Sequence, residues 1–304
     1  MQTQWVMSVL ITLGFVTSPS VHAQELEPRA YSNAPVGLNF LIAGYGYTQG
    51  GVLTDPAIPL TNADIRIHTA VLAYARSVDM WGRSGKFDVV LPYASLSGTA
   101  DVEGQPVERD ISGMGDARLR LSINFLGAPA LSLKEIASYR QDLIVGASLQ
   151  VGIPIGQYDS TRLVNLGTHR WVVRPELGIS KAAGRWTFEL AGAAAIFGDN
   201  DDFFGGHTRE QDPIYSVQGG FIYGFRSGVW MAVSGTYYTG GRTTVDGARG
   251  NDLQKNSRVG ATLALPVNRH NSIKLYANSG VSTRTGSDFD SGGIAWQYRW
   301  GGGL

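Results

Sequence analysis

In the stretch GDARLRLSINF, residues 115–125, Asp116, Arg118 and Arg120 are spaced by two, and Ser122 and Asn124 continue the row. On an extended chain that spacing puts a carboxylate, two guanidiniums and two neutral hydrogen-bonding groups on one face. Such a row can grip an anion, or it can pair with facing carboxylates and only fill space. Groups of the same kind recur along the chain: Asp64, Arg66, His68 and Arg76; Lys86 and Asp88; Arg174 and Glu176; Arg185 and Glu189; then Arg258, Lys274, Arg284 and Arg299. Cations outnumber carboxylates in this set, which favours anionic or electron-rich solutes.

Bond-breaking chemistry has little support in the residues. No GxSxG elbow and no HExxH pair occurs. His169, His207 and His270 fall between the periodic segments, and only His68 lies within one. A lipid hydrolase on a barrel wall needs its histidine turned to the membrane, whereas the alternation puts His68 with the lumen set. The run GDNDDFFGG offers Asp199, Asn200, Asp201 and Asp202 as oxygen ligands but lacks calcium-loop spacing. A solvated loop that meets lipopolysaccharide through divalent ions is the simpler account, and no metal or cofactor is expected. Phe203 and Phe204 beside it are candidates to meet an apolar solute at a mouth. With no cysteine there is no disulfide framework or thiolate site, and 25 basic against 25 acidic side chains exclude a nucleic-acid partner.

The elements that must position these groups are strands. In residues 115–125 every second residue is polar, and Leu119, Leu121, Ile123 and Phe125 occupy the other face. The same period of two runs through 62–78, 143–156, 171–180, 257–267 and 272–284. About twelve strands are predicted, starting near Val36, Asp64, Lys86, Asp116, Leu143, Trp171, Arg185, Ile214, Val229, Ser257, Ser272 and Gly292. Tight links at 182–185, 226–228 and 268–271 alternate with long polar ones at 49–62, 157–170, 199–213 and 241–256. One connection, 127–142, breaks the rule by being long on the turn side. Ser132 and Glu135 within it have capping-box spacing, which predicts a short helix.

Residues 1–23 read as a secretory leader, an apolar run too short for a membrane helix followed by VHA before Gln24, and residues 24–304 as one domain. No later run is long and apolar enough for a spanning helix, so a membrane form must be a barrel. A soluble sandwich would bury the Leu119 face, whereas a membrane barrel turns it to lipid and puts the Arg118 face inside. Three features favour the barrel. Aromatics cluster near the strand tips, at Trp171, Trp186, Tyr215, Trp230, Tyr237, Tyr298 and Trp300. The strand count is even with alternating loop lengths. The chain is exported and free of cysteine. The last strand places Ile294, Trp296, Tyr298, Trp300 and Leu304 on one parity.

EPRAYSNAPVGLNF at 27–40, RLVNLGTHRW at 162–171, DNDDFFGG at 199–206, YYTGGRTTVDG at 237–247 and GSDFDSGGIAWQYRW at 286–300 resemble an outer-membrane family labelled for a meta-pathway of phenol degradation. That resemblance implies a Gram-negative outer-membrane β-barrel that moves aromatic compounds, and it brings no binding residues with it. The expectation is an all-β, antiparallel transmembrane barrel of about twelve strands with long extracellular loops and short periplasmic turns. Its partners are outer-membrane lipid, lipopolysaccharide, a small-molecule solute and, during biogenesis, the barrel assembly machinery. Its expected function is passive passage of small, hydrophobic or aromatic molecules through a narrow lumen. A structural or adhesion barrel with a closed lumen and an outer-membrane lipid hydrolase are the alternatives.

Overall fold

A computed structural model describes residues 27–51, 60–102, 105–285 and 288–304. The expected leader lies outside the described residues. In chain order the strands are β1 (Leu38–Gly51), β2 (Leu60–Met80), β3 (Arg83–Val102), β4 (Gln105–Met114) and β5 (Ala117–Leu126). A one-turn helix, α1 (Leu133–Ile136), precedes β6 (Leu143–Ile153), β7 (Val172–Ala183), β8 (Trp186–Phe197), β9 (Asn200–Phe203), β10 (His207–Gln211), β11 (Ile214–Gly224) and β12 (Trp230–Gly240). Then come β13 (Thr243–Val245), β14 (Ala248–Arg249), β15 (Gln254–Pro266), β16 (Asn271–Ser282) and β17 (Asp288–Gly301).

Twelve strand positions close into an antiparallel barrel. β1 joins β17 in register from Leu38 opposite Gly301 to Gly51 opposite Asp288, and β2 bonds both β1 and β3. β4 pairs with the loop-side half of β3 and β5 with its turn-side half, so the two together fill one position of the ring. Beyond the rim, β9, β10, β13 and β14 form a separate four-stranded sheet from two of the long loops.

The polarity of the wall follows from the solvent on each side. Leu121, Leu149, Leu177, Leu190, Phe221 and Val233 are exposed on the outer face, while Arg118, Arg120, Gln150 and Arg174 are buried inside. Turning a guanidinium to lipid at mid-height costs about 2–4 kcal/mol, which decides the direction of these strands. Trp171, Trp186, Tyr215, Tyr237 and Trp300 face outward as expected. Trp230 does not. It is 1% exposed and points into the lumen, where the Arg29 guanidinium lies 5.6 Å from its ring.

The β2 parity is also opposite to expectation. Ile65, Ile67, Val71, Ala73 and Ala75 are buried inside, and Asp64, Arg66, His68 and Arg76 point outward. Two physical causes act together. β2 runs 21 residues where about 9–11 cross a bilayer, so the outer face of its loop-side half lies beyond lipid. Its inner face is covered by protein instead of water.

That cover comes from two inserts. From the loop side, Val164 and Leu166 pack on Ile65, Ile67, Ala94, Leu96, Ile111 and Phe289. From the turn side, Ala34 and Ile136 join Leu38, Phe40, Ile42, Val71 and Val90. The predicted helix at 133–136 is present with its capping box, the Ser132 N–H donating to Glu135 Oε2 at 2.8 Å and the Glu135 N–H to Ser132 Oγ at 3.4 Å. Its connection clasps the entering N-terminal segment, since Val36 N–H donates to Leu131 O (2.8 Å) and Asn33 Nδ2 to Pro129 O (3.1 Å). Leu304 leaves the lipid-facing parity altogether. Gly301, Gly302 and Gly303 all have left-handed φ (79°, 59° and 88°), and the tail folds back so that Leu304 packs against the turn-side cluster.

Candidate functional site

The lumen holds most of the predicted polar row, and residues 27–36 thread into it. Arg120 on β5 is the hub. Its Nε donates to both Asp88 oxygens (3.0 and 3.1 Å) and its Nη2 to Asp88 Oδ1 (2.7 Å). β3 and β5 set this pair directly opposite in register. The other edge of the guanidinium takes Glu27, Nη2 donating to Oε1 at 3.1 Å and Nη1 to Oε2. Burial alone would raise the Glu27 carboxyl, but attraction to Arg120, then Lys86 and Lys274, outweighs it and holds the group down at about 2.

Four residues on, the Tyr31 hydroxyl donates to Glu176 Oε1 at 2.8 Å, and Arg174 Nη2 sits 2.9 Å from the other Glu176 oxygen. Burial and the neighbouring Glu176 push the Tyr31 phenol up, so it keeps its proton and its role as donor. The ring lies where two side chains are missing. A Cβ on Gly178 would come within 2.0 Å of it and one on Gly146 within 2.5 Å. The Arg29 N–H donates to Glu189 Oε2 (2.7 Å), and Asn124 Nδ2 donates to Tyr31 O (3.1 Å). Beside these groups a small cavity of about 20 Å³, room for one water molecule, is lined by Glu27, Tyr31, Arg120, Arg174, Glu176 and Glu189.

The remaining predicted residues divide between wall, rim and exterior. Asp116 faces inward as an anchor for the loop-side insert, accepting from Gly156 N–H (2.9 Å), Thr168 N–H (2.8 Å) and Thr168 Oγ1 (2.6 Å). Arg258 is buried with its guanidinium 3.7 Å from the Phe289 ring centre, donating to Phe289 O at 3.0 Å. Arg118 is buried on the inner wall, Lys274 sits on the inner parity of β16, and Arg299 reaches the turn-side rim, where it donates to Arg269 O at 2.7 Å. Arg284 is not in the wall but exposed in the loop after β16, and Arg185 is exposed at the β7–β8 turn.

Arg66 is outward beside Asp64 (3.8 Å), and Arg76 is outward at the turn-side rim. His68 lies outside with Nδ1 2.6 Å from the Tyr45 hydroxyl and its ring 5.0 Å from that of Tyr47. The premise that His68 faces the lumen is therefore overturned. At the mouth, Phe203 is buried with the Arg209 guanidinium 5.5 Å from its ring, so it packs the small sheet; Phe204 alone is exposed. Asn200 is buried and donates to Tyr158 Oη (2.9 Å), which removes it from any ligand set. Among the described residues no group of three His, Asp or Glu side chains is close enough to share a metal ion.

Sequence reasoning missed Glu27, Arg29 and Tyr31. EPRAYSN has no period of two and precedes the first strand, and its signal is a charged, tyrosine-bearing coil attached to a barrel with surplus lumen cations.

Residues 43–298 match the family described as "Putative MetA-pathway of phenol degradation". The chain belongs to this family. A solved outer membrane channel from Pseudomonas putida F1 is similar at a TM-score of 0.78 with 21% identity, covering 91% of this chain and 100% of that one. The transport unit of the autotransporter AIDA-I from Escherichia coli aligns at 0.51 with 8% identity, covering 88% and 92%. The beta domain of the Bordetella autotransporter BrkA aligns at 0.50 with 10% identity, covering 87% and 100%. No curated protein matches the sequence. This member of the phenol-degradation family thus shares the barrel fold of that outer membrane channel.

Proposed function

We propose that the barrel is a passive channel for small molecules, that residues 27–36 close it, and that its solutes carry an aromatic or hydrophobic body. The observation that carries this reading is the docking of the N-terminal segment through separable polar contacts, Glu27 to Arg120 and Tyr31 to Glu176, against a wall complete without it. A core filled only by the wall's own side chains would have no such seam. The family's label and the apolar inner faces of β1, β2 and β3 support an aromatic or hydrophobic cargo. The test is solute permeation in liposomes containing the purified protein. Entry of small aromatic molecules above that of empty liposomes is expected, and its absence for every solute would leave a closed structural barrel. That second reading draws on the filling of the lumen by inserts from both ends. A lipid hydrolase is the third reading. His68 does face outward, with Ser95 opposite it in register, yet no hydrogen bond joins the two among the described residues. Activity on detergent-dispersed phospholipid is expected to be absent.

A further inference from the structure

The outer face of the wall is not smooth on the turn side. Between the β11–β12 turn and strands β15 and β16 lies an open groove of about 550 Å³, bordered by Phe225, Met231, Leu263 and Leu275. That is the size of a site for one apolar ligand. Met231 stands opposite Leu263 in register, and Leu263 opposite Leu275. Ala261 and Ala277, the next outward pair, also line the groove, and their short side chains leave it open. Phe225 stands in the turn itself, its ring meeting that of Tyr223 edge-on at 4.9 Å. The turns at this end of the barrel are cationic. Arg226 is exposed and lies between two residues of the groove, Phe225 and Ser227. Arg185 in the preceding turn and Arg269 in the following one are exposed as well, and residues 183–186, 225–229 and 267–270 contain no carboxylate. Asp142, just before β6, pairs with Lys181 of β7.

We propose that this groove is a binding site for an anionic glycerophospholipid of the turn-side leaflet, one acyl chain lying along Met231, Leu263 and Leu275 and the phosphate meeting Arg226. Lipid tails are as apolar as the groove, so burying a chain there does not by itself hold one lipid in preference to its neighbours. Two features of the wall do. The depression over Ala261 and Ala277 gives a chain contacts on several sides that a smooth barrel face lacks. The guanidinium at its turn-side end offers paired donors to phosphate oxygens, and Arg185 and Arg269 on the flanking turns add positive field at headgroup level. The site lies across the wall from the lumen, so it stands whether or not the lumen conducts.

The test is native mass spectrometry of the folded, full-length protein released from detergent micelles doped with phosphatidylglycerol, or with a diacylglycerol of the same chains as the headgroup-free probe. The parent protein is expected to retain one phosphatidylglycerol and several-fold less diacylglycerol. Arg226→Gln should weaken retention of phosphatidylglycerol about fivefold, the scale of one cation at a headgroup, and leave diacylglycerol unchanged. Ala261→Trp, or separately Ala277→Trp, fills the groove with a side chain that lipid tolerates and should remove both adducts; two variants are used so that a folding defect in one leaves the other readable. Leu177→Trp, on an exposed part of the wall away from the groove, should change neither. Equal phosphatidylglycerol retention in the parent and both groove variants would overturn the site. Diacylglycerol held as firmly as phosphatidylglycerol, or an unchanged adduct in Arg226→Gln, would overturn the assignment of a phospholipid to it.

Discussion

Gly146 and Gly178 face each other in register across β6 and β7, and the ring of Tyr31 occupies the space that their missing side chains leave. Two strands that need a β-branched or large residue for outward packing thus carry the smallest one inward, at the height where the N-terminal segment crosses. Replacing Gly178 by alanine places a Cβ 2.0 Å from the ring. Because the neighbouring ladder contacts are backbone ones, the ring yields before the wall does. Gly178→Ala is expected to raise single-channel conductance several-fold with the barrel still folded, and Tyr31→Ala to make the glycine change silent. Unaltered conductance in Gly178→Ala would remove Tyr31 from the closure.

The closure also has a predicted acid limit. Glu27 titrates near 4.5 when free and at about 2 when docked. A depressed carboxyl contributes stability above its free value and loses it as pH falls through the docked one. The facing groups are Arg120 on β5, Lys86 and Asp88 on β3, Lys274 on β16 and Glu189 on β8. Conductance should therefore be low and flat from pH 7 to about 5 and rise progressively between about 4.5 and 2. Glu27→Gln should flatten that rise. A wild-type rise centred near pH 6 would assign the transition to another group.

The loop-side insert is held separately. Leu166 is fully buried among Ile65, Ile67, Leu96 and Phe289, and Asp116 ties down Gly156 and Thr168. Leu166→Ala should cost about 2–5 kcal/mol of local stability, the range for emptying a core leucine site. The exposed Arg162 in this insert then becomes the reporter: trypsin is expected to cleave there much faster in Leu166→Ala than in the parent. Equal cleavage rates would mean that the insert is held by its polar contacts, those of Asp116 and Asn200 among them, without Leu166.

The twelve wall positions, their approximate starts and the capped helix on the turn side were legible because each is written locally, whereas β4 and the rim strands β9, β10, β13 and β14 were not. Period-two alternation records a wall between lipid and lumen, and Ser132 with Glu135 needs only three residues of spacing. The parity of β2 misled for a nonlocal reason. Arg66 and His68 point outward because the strand outruns the bilayer, and Ile65 and Ile67 point inward because Val164 and Leu166, a hundred residues along the chain, fold over them. Trp230 was misplaced because its position at a strand tip was read without its parity: it shares the inner face of β12 with Ala232, Ser234 and Thr236 and packs against Ile222 and Ala264. The row Asp116, Arg118 and Arg120 was found as a row but not as a site. Its members separate into a loop anchor, a wall cation and a carboxylate grip only when Thr168, Asp88 and Glu27 are brought to them.

The most direct measurement is single-channel conductance at pH 7 of the intact chain against a chain lacking residues 24–35. If the N-terminal segment is what closes the lumen, the shortened protein conducts several-fold more current through an otherwise unchanged barrel. Identical conductance in the two proteins would contradict that assignment.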